Sequence, residues 1–396
     1  MKGMIILGVS AYVLATSFSF MAFRALANSA QNDVGMTVDG TAAEDGTKLG
    51  SLLQIDASEP LDQACPLNGK LFTSTEKTAW EKRRPLAVMI ENSEDARPQS
   101  GLSNADVIFE TVAEGGITRF MALFYCDVQR TDTVLAPIRS ARTYFVDWAS
   151  GFNLPLYVHV GGANLAGPAD ALGQIGDYGW NQQNDMNQFS IGYPTFVRNA
   201  NRIAGKEIAT EHTMETSTER LWAVADKRGW TNITPAHKDG GKTVPATDWK
   251  EGYQGWMFET PQEKGNVTDI SYEFWTGFKA FAVSWKYDAA SDSYLRTMAG
   301  EAHVDLNNNE QLAVKNVIVM LTDEKGPIDE AKHMLYTTTG TGKALIFKGG
   351  EAIEAKWSKK TREAELEFLD SKGKSVALTP GQIWISVLAK DATVSY

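Results

Sequence analysis

Two adjacent apolar runs constrain the fold of this chain more than any other feature. The stretch "VIFETVAEGGITRFMALFYC", residues 107 to 126, contains two segments of strand length on either side of Gly115-Gly116. Apolar runs of this length separated by glycines are typical of two strands joined by a tight turn. Arg119 lies inside the second run, among apolar neighbours such as Ile117 and Phe120. We therefore expect its guanidinium group to be partly buried, and a buried guanidinium must meet an anion.

A second short segment repeats this combination of arginine and apolar residues. In "IRSAR", Arg139 and Arg142 lie next to Pro137, Ile138 and Ala141. An arginine on a solvated face usually has polar neighbours, so these two are also expected to be partly buried. The anion that they meet is either a carboxylate of the protein itself or part of a ligand.

The chain is too long for one typical compact domain. It has 396 residues, of which 43% are hydrophobic and 22% are charged, so about two domains with connectors are expected. Residues 65–240 alternate between strand patterns and helical patterns, which predicts an α/β or α+β N-terminal domain. Residues 241–256 are rich in glycine and charge, and we interpret them as a linker. Short alternating runs in residues 257–396 predict a smaller, β-rich C-terminal domain.

The N-terminus carries a membrane-targeting segment. Lys2 precedes an uncharged apolar stretch, residues 4 to 23, that is long enough to cross a bilayer as a helix. Ala25-Leu26-Ala27 also forms an A-x-A cleavage pattern, so residues 1–27 are either a signal peptide or a membrane anchor. Residues 28–64 have few large apolar side chains and are expected to be a flexible stalk. The body then lies on the extracytoplasmic side of the cytoplasmic membrane, or is secreted after cleavage at Ala27.

The chain has two cysteines, Cys65 and Cys126. Export would place both in a compartment where disulfides persist, so we expect one bridge between them. Two reduced, buried cysteines are the alternative, since free cysteine behaves as a small apolar residue.

Several classes of function are disfavoured by the sequence. The formal charge is -11 and no basic stripe is present, which argues against a nucleic-acid partner. The five histidines lack the spacing of metal ligands, so no metal is expected. "TTTGTGKAL" resembles the end of a phosphate-binding loop, but it lacks the first glycine and has Ala344 where a Ser or Thr belongs. No cofactor is therefore expected.

Polar residues at the ends of apolar runs form the candidate site, because strand ends and their loops are where sites usually lie. The candidate acids and bases are Glu110, Glu114, His159 and His212. The candidate ligand-binding residues are Arg119, Arg139, Arg142, Tyr144, Gly161, Gly162 and Arg198. The structural alternative is that Glu110 and Glu114 neutralise the arginines in an internal ion-pair network.

An ordered series of segments resembles the YerB-like lipoprotein family, also called the DUF3048 family. The segments are "RPLAVMIENSEDARPQSGLSNADVIFETVAEGGITRFMALF", "APIRSARTYFVDWA", "YVHVGG", "EHTMETST", "HVDLNNNEQLAVKNVIVML", "GTGKALIFKGGEAIEAKWSKK" and "LTPGQIWISVL". The resemblance covers nearly all of residues 65 to 390 and implies a two-domain bacterial envelope protein. It implies a location and an architecture but no reaction.

Two departures from the family pattern matter. This chain has no cysteine after its apolar segment, which suggests anchoring by the helix itself rather than by a lipid. The family commonly shows a His-Asn pair before its "TS", whereas this chain has Glu211-His212-Thr213. A role that requires the Asn amide therefore does not transfer to this chain.

Two classes of function remain. The first is a cell-envelope protein that binds an anionic or carboxylated ligand, such as a wall glycan or glycopolymer fragment, through an arginine-rich pocket. Residues 177–202 interleave amides with aromatic residues, a mixture that suits sugars and equally suits an irregular surface loop. The second is an enzyme, a hydrolase or transferase acting on wall polymers with a Glu/His pair in the same pocket. Turnover of a labelled wall fragment distinguishes the two.

Overall fold

The computed structural model describes residues 52–239, 242–260 and 264–396. The predicted signal peptide or anchor, residues 1–27, and the stalk up to residue 51 lie outside this range. No helix among the described residues is both long enough and apolar enough to cross a membrane. The described residues belong to one compact unit.

The first half of the described chain contributes short strands at regular intervals. In chain order they are β1 (Gln63–Ala64), β2 (Leu71–Phe72), β3 (Leu86–Glu91), β4 (Val107–Glu114), β5 (Ile117–Phe124), β6 (Val134–Leu135), β7 (Leu156–His159), β8 (Asp185–Asn187), β9 (Val197–Arg198), β10 (Met214–Ser217), β11 (Ile233–Thr234) and β12 (His237–Asp239).

The second half is built almost entirely of strands. They are β13 (Lys242–Val244), β14 (Thr247–Asp248), β15 (Asp269–Tyr272), β16 (Val283–Asp288), β17 (Ser293–Met298), β18 (Glu301–Ala302), β19 (Ala313–Val314), β20 (Asn316–Thr322), β21 (Glu324–Lys325), β22 (Leu335–Tyr336), β23 (Gly340–Lys348), β24 (Glu351–Lys359), β25 (Glu367–Leu369), β26 (Ile383–Ala389) and β27 (Val394–Ser395).

The helices are short and lie in the first half. They are α1 (Ser74–Trp80), α2 (Thr143–Ser150), α3 (Ala171–Asp177), α4 (Gln188–Ile191) and α5 (Thr218–Lys227). Single 3₁₀ turns lie at Glu94–Ala96, Leu102–Asn104, Trp180–Gln182, Thr210–His212 and Lys279–Phe281. A capping box of Thr73 and Glu76 starts α1 by satisfying backbone N–H groups at its first turn. Strands outnumber helices and the sheets are mixed, so the predicted combination of both element types is confirmed in this coarse form.

The hairpin predicted from "VIFETVAEGGITRFMALFYC" is confirmed. Strands β4 and β5 pair antiparallel, and Gly115 and Gly116 form the turn between them at φ values of 57° and 89°. An L side chain rarely adopts such positive φ values, which explains the two glycines. Every residue of β4 except Glu114 is buried, and so is every residue of β5 except Ile117.

The main sheet has ten strands in the order β25-β24-β23-β20-β26-β4-β5-β3-β7-β8. Strands β20, β26 and β4 are parallel, β5 runs opposite to both β4 and β3, and β3, β7 and β8 are parallel. Strand β23 is antiparallel to β20, and β24 is antiparallel to β23. Seven strands, including β24, therefore point the same way, and their carboxyl ends lie along one edge. We call this line the carboxyl edge of the sheet.

Both predicted domains contribute to this one sheet. Strand β26, close to the C-terminus, lies between β20 and β4, and Ile383 pairs with Val107. The predicted boundary at residues 241–256 therefore separates two stretches of sequence whose strands join side by side. The two predicted domains therefore remain a prediction about regions of the sequence, because both regions contribute strands to the main sheet.

The residues predicted as a linker make specific contacts. Strand β14 pairs with β11, and Trp249 is fully buried against the ring of Tyr125 with 5.1 Å between ring centroids. The Trp249 indole N–H also donates to the Tyr125 hydroxyl at 3.2 Å. This part of the connector is thereby attached to the end of β5.

The predicted disulfide between Cys65 and Cys126 is confirmed. It joins the segment after β1 to the end of β5, and both cysteines are buried. The bridge therefore fixes the start of the folded body against the main sheet.

Two smaller sheets complete the parts needed to place the site. Strand β10 pairs antiparallel with β6 on one side and with β9 on the other. Strands β15 to β19 and β27 form a six-stranded sheet. Its strand β17 carries Arg296, which reaches the carboxylate of Glu110 on β4.

Candidate functional site

Most of the predicted site residues lie at the carboxyl edge of the main sheet. Glu114 ends β4, His159 ends β7, and Arg119 lies near the start of the oppositely directed β5. Glu91, which ends β3, pairs in register with Arg119. Ligands of open sheets usually bind outside the carboxyl ends of parallel strands, so this edge is the natural place for a site.

Arg119 and Arg142 share the carboxylate of Glu114. One Glu114 oxygen lies 2.5 Å from Arg119 Nη2 and the other lies 2.7 Å from Arg142 Nη2. Burial alone would raise the pKa of Glu114, but the charges of Arg119 and Arg142 outweigh burial and lower it to about 2. Glu114 is therefore a permanent carboxylate at neutral pH, held between two buried guanidinium groups.

The same two arginines also hold the segment that connects β6 to α2. Arg119 Nη1 donates to the carbonyl oxygen of Ser140 at 2.9 Å, and Arg142 Nη1 donates to that of Ala141 at 2.7 Å. Each guanidinium group thus donates hydrogen bonds both to a carboxylate and to a backbone carbonyl. Arg119 and Arg142 thereby connect the β4-β5 hairpin to this segment. For Glu114, this is the internal ion-pair network that the sequence suggested as the alternative to a ligand site.

Arg139 is the most accessible of the three arginines. Its side chain is 28% exposed, and its Nε lies 3.4 Å from an oxygen of Glu91. Its Nη1 donates a long hydrogen bond of 3.3 Å to the carbonyl oxygen of Glu211. Both contacts are weaker than those of Arg119 and Arg142, which leaves Arg139 with donor capacity.

Glu91 is a site residue that sequence reasoning missed. Its carboxylate lies 2.9 Å from His212 Nδ1 and accepts a hydrogen bond of 3.0 Å from the Ser93 hydroxyl. The signal was present in "LAVMIE", where a glutamate ends a buried apolar run. A histidine oriented by a carboxylate is the arrangement used in acid-base catalysis, so the pair has chemical capacity.

Arg198 lies on β9 and reaches the same short segment as Arg139. Its Nη1 donates to the carbonyl oxygen of Thr210, next to Glu211. A hydrogen bond from its own backbone N–H lowers the pKa of Glu211, and the charges of His212, Arg139 and Arg198 lower it further. Arg139 and Arg198 thus donate to neighbouring backbone carbonyls next to an exposed carboxylate, and His212 follows Glu211 in the chain. We call Arg139, Arg198 and His212 the basic cluster.

His159 is fully buried beneath this edge. Its Nδ1 lies 2.6 Å from the Gly161 carbonyl oxygen and its Nε2 lies 2.6 Å from an Asp185 oxygen. The Gly161 carbonyl also accepts from the Ala141 N–H at 2.9 Å, and Gly162 forms a parallel bridge with Ala141. These contacts assign His159 and the two glycines to holding the turn after β7.

Glu110 lies inside the molecule rather than at the edge. It pairs with Arg296 at 2.8 Å, both side chains are 0% exposed, and the Trp384 indole N–H donates to it at 3.1 Å. Burial raises the pKa of Glu110, and Arg296 opposes that rise. Arg296 itself lies between the rings of Trp285 and Trp384, at 4.9 and 4.1 Å from their centroids.

Tyr144 is also internal. Its side chain is buried, and its hydroxyl donates to the carbonyl oxygen of Val112 at 3.0 Å. This bond attaches the first turn of α2 to β4. Tyr144 therefore positions the segment that carries Arg139 and Arg142.

Metal ligation finds little support in the described residues. Cys65, Asp106 and Cys126 bring their ligand atoms within 4.8 Å of one another, but the two sulfurs are bonded to each other. A disulfide supplies no thiolate for a metal. Cavities of about 260, 650 and 390 Å³ lie elsewhere, and none of their lining residues is among the predicted site residues.

Comparison with known proteins identifies relatives over most of the chain. Residues 72–231 match the N-terminal domain described as "Protein of unknown function (DUF3048)", and residues 270–385 match the C-terminal domain of the same description. A Bacillus subtilis (strain 168) protein named "Putative lipoprotein YerB" is 28% identical over 327 residues, covering 82% of this chain and 85% of that protein.

A solved structure supports the same relationship. The crystal structure of the YerB protein from Bacillus subtilis matches with a TM-score of 0.65 and 25% identity, covering 85% of this chain and 100% of that chain. The two domain matches occur in the expected order and together cover more than half of the sequence. The chain therefore belongs to the YerB-like family, which is defined by the DUF3048 N-terminal and C-terminal domains.

Proposed function

We propose that this protein is a membrane-associated component of the cell envelope that binds an anionic or carboxylated ligand at the basic cluster. The observation that carries the proposal is the grouping of Arg139, Arg198 and His212 around the exposed Glu211 at the carboxyl edge. Guanidinium groups bind carboxylates and phosphates through paired hydrogen bonds, so such a cluster suits an anion. The ligand class that fits an envelope location is a wall glycan or glycopolymer fragment.

The buried arginines have a supporting part in this proposal. Arg119 and Arg142 are already paired with Glu114 and with backbone carbonyls. They hold the segment that presents Arg139, whereas Arg139 and Arg198 meet the ligand. The lipoprotein name of the Bacillus relative and the apolar N-terminal segment support the extracytoplasmic, membrane-associated location.

The test is a binding titration with inorganic phosphate and with a wall fragment that carries muramic acid carboxylates. Arg139→Lys keeps the charge but loses the planar fork, so we expect the affinity for the wall fragment to fall about tenfold. The melting temperature should stay within about a degree, because the contacts of Arg139 are long and partly exposed. Arg220→Lys, at an exposed position on α5, is the matched control.

Two results would reject the binding proposal. The first is that the wild-type protein binds neither probe at millimolar concentration. The second is that Arg139→Lys and Arg220→Lys bind the wall fragment equally well, since the arginine fork then makes no contribution.

A second candidate function is suggested by the contact between Glu91 and His212. Their 2.9 Å hydrogen bond orients the imidazole within the basic cluster, which suits a hydrolase or transferase acting on wall polymers. In that case a labelled wall polymer is turned over, and Glu91→Gln and His212→Gln each abolish the turnover. Binding without turnover leaves the first candidate.

A further inference from the structure

The most exposed large apolar side chains lie in segments at the carboxyl edge of the main sheet. Among the described residues they are Tyr193, Phe189 and Leu165, with exposures of 84%, 76% and 62%. All three lie in the segments that follow β7 and β8, at the carboxyl edge. Single exposed apolar residues need no explanation, but a group of them beside polar residues marks an interaction site.

The backbone of Phe189 is anchored although its ring is exposed. It lies in α4, where the side chain of Asn187 accepts from the N–H of Phe189 and from that of Gly161, both at 3.2 Å. A Cβ at Gly161 would lie 3.0 Å from the Phe189 ring, so the ring rests on the glycine. The ring thus contacts Gly161 and is otherwise largely open to solvent, where a ligand can stack on it.

Backbone hydrogen bonds place this ring next to the arginines. The N–H of Val160 donates to the Arg139 carbonyl at 3.0 Å, and the N–H of Ile138 donates to the Met214 carbonyl at 2.8 Å. Met214 in turn pairs with Arg198. The four chain segments that contain Gly161, Arg139, Met214 and Arg198 thus lie side by side. At the usual strand spacing, Arg198 lies about 14 Å from Gly161, on which the Phe189 ring rests.

The segment that carries both aromatic residues connects the two ends of this span. It leaves β8 beside Gly161 and reaches β9, which pairs with β10. Tyr193 lies within it, four residues after Phe189. A small anion is too short to contact both the Phe189 ring and Arg198, whereas a chain molecule is long enough.

The surrounding charges distinguish a discrete ligand from a membrane surface. Glu91 and Glu114 lie among the arginines, and Glu211 is exposed beside them. These carboxylates offset the arginines, so the edge lacks the excess of basic charge that attracts an anionic bilayer. Asn164, in the segment after β7, and Asn201, in the segment after β9, are exposed, and their amides suit hydroxyl groups.

We infer that Phe189 and Tyr193 form a sugar-stacking subsite beside the basic cluster, and that the ligand is a glycan chain that carries carboxylate or phosphate groups. This inference rests on the proposed function, because it assigns the ligand's anionic groups to Arg139 and Arg198. Rigid aromatic rings with amides nearby bind the apolar faces of sugars and their hydroxyl groups.

The experiment compares three probes on the full-length protein by titration calorimetry. They are lactate, a tetrasaccharide of alternating N-acetylglucosamine and N-acetylmuramic acid, and vesicles that contain anionic phospholipid. The variants are Phe189→Ala/Tyr193→Ala and the control Tyr396→Ala, which removes an exposed aromatic ring of the C-terminal segment. We expect the double variant to weaken the binding of the tetrasaccharide by about 5- to 150-fold, at about 0.5 to 1.5 kcal/mol per ring. Lactate affinity should change less than twofold, and the control should match the wild type.

Each contrary outcome has a separate meaning. If the wild type binds lactate and the tetrasaccharide equally, or the double variant keeps its tetrasaccharide affinity, the stacking subsite is rejected and the anion site stands. If the double variant loses vesicle binding and not tetrasaccharide binding, the apolar side chains meet lipid and this inference is wrong. If the wild type binds no anionic probe, the proposed function itself fails. Unchanged melting temperatures show that the variants are folded.

Discussion

Arg119 and Arg139 differ in what their guanidinium groups touch, and this difference separates stability from binding. Arg119 is 2% exposed and contacts Glu114 at 2.5 Å, whereas Arg139 is 28% exposed and lies 3.4 Å from Glu91. Breaking a buried pair leaves an uncompensated charge, so we expect Arg119→Ala to lower the free energy of unfolding by about 3 kcal/mol. Arg139→Ala should lower it by less than about 1 kcal/mol.

Urea denaturation of the two variants under identical conditions checks this contrast. Equal losses of stability would mean that Arg139 is an internal brace like Arg119. The ligand-binding assignment of Arg139 would then lose its basis.

Glu114 should also make the protein sensitive to acid. Its pKa in the folded protein is about 2, against its ordinary 4.5, because Arg119 and Arg142 outweigh the opposing effect of burial. A depressed folded pKa contributes stability that is complete above about pH 5 and is lost as pH falls towards 2. The difference between the two pKa values corresponds to about 3 kcal/mol.

The measurement is the free energy of unfolding between pH 2 and pH 6 for the wild type and Glu114→Gln. The variant should be less stable at pH 6, and the two proteins should converge as pH approaches 2. A constant gap across this range would contradict the assigned pKa.

At individual positions, the sequence predicted burial well and partners poorly. The apolar neighbours of Arg119 and Arg142 correctly indicated buried guanidinium groups. Glu114 was foreseen as a partner, but Glu110 pairs with Arg296, which lies 186 positions away. Partners at such separations follow from how the sheets pack, and no local pattern records that packing.

Among the elements, the segment that the disulfide joins to the sheet should depend on the bridge. Cys65 and Cys126 are 61 positions apart, and closing a loop of that length restricts the unfolded chain. We expect Cys65→Ser/Cys126→Ser to lower the free energy of unfolding by about 4 kcal/mol. Denaturation of the variant beside the wild type measures this, and a loss under about 1 kcal/mol would show that packing alone holds the segment.

Elements with a local signature were the predictable ones. The run "LAVMIE" became β3, the glycine-centred pair became β4 and β5, and Tyr144, Phe145 and Trp148 lie at helical spacing in α2. The connector was harder, because glycine and charge there concealed β13, β14 and the buried Trp249. A single buried tryptophan in a polar segment has no periodicity to reveal it.

For the whole molecule, the shared sheet predicts one cooperative unit. Strand β26 pairs with β20 on one side and β4 on the other, so both halves of the sequence contribute to the same hydrogen-bonded layer. We expect proteolysis within residues 238–256 to leave two fragments that co-elute in gel filtration. Calorimetry of the intact protein should show one transition. Two separate transitions, or fragments that separate without denaturant, would contradict this view.

The sheet that both halves of the sequence share could not be predicted from the sequence. The change in composition predicts a connector, but the pairing of Ile383 with Val107 links residues that are far apart in the chain. Composition distinguishes one region of the sequence from another, whereas the order of strands in a sheet depends on which strand edges pair. The common sheet of the two sequence regions was therefore not predictable from composition.

The position of β26 also sets the order of events when the protein is made. Residues 383–389 are synthesised after every other strand of the main sheet, yet they fill its middle. Until they arrive, β4 and β20 each present an unpaired edge, and such edges join readily to other chains. A nascent chain, or a chain truncated before residue 383, lacks this central strand and is therefore a substrate for chaperones and for aggregation.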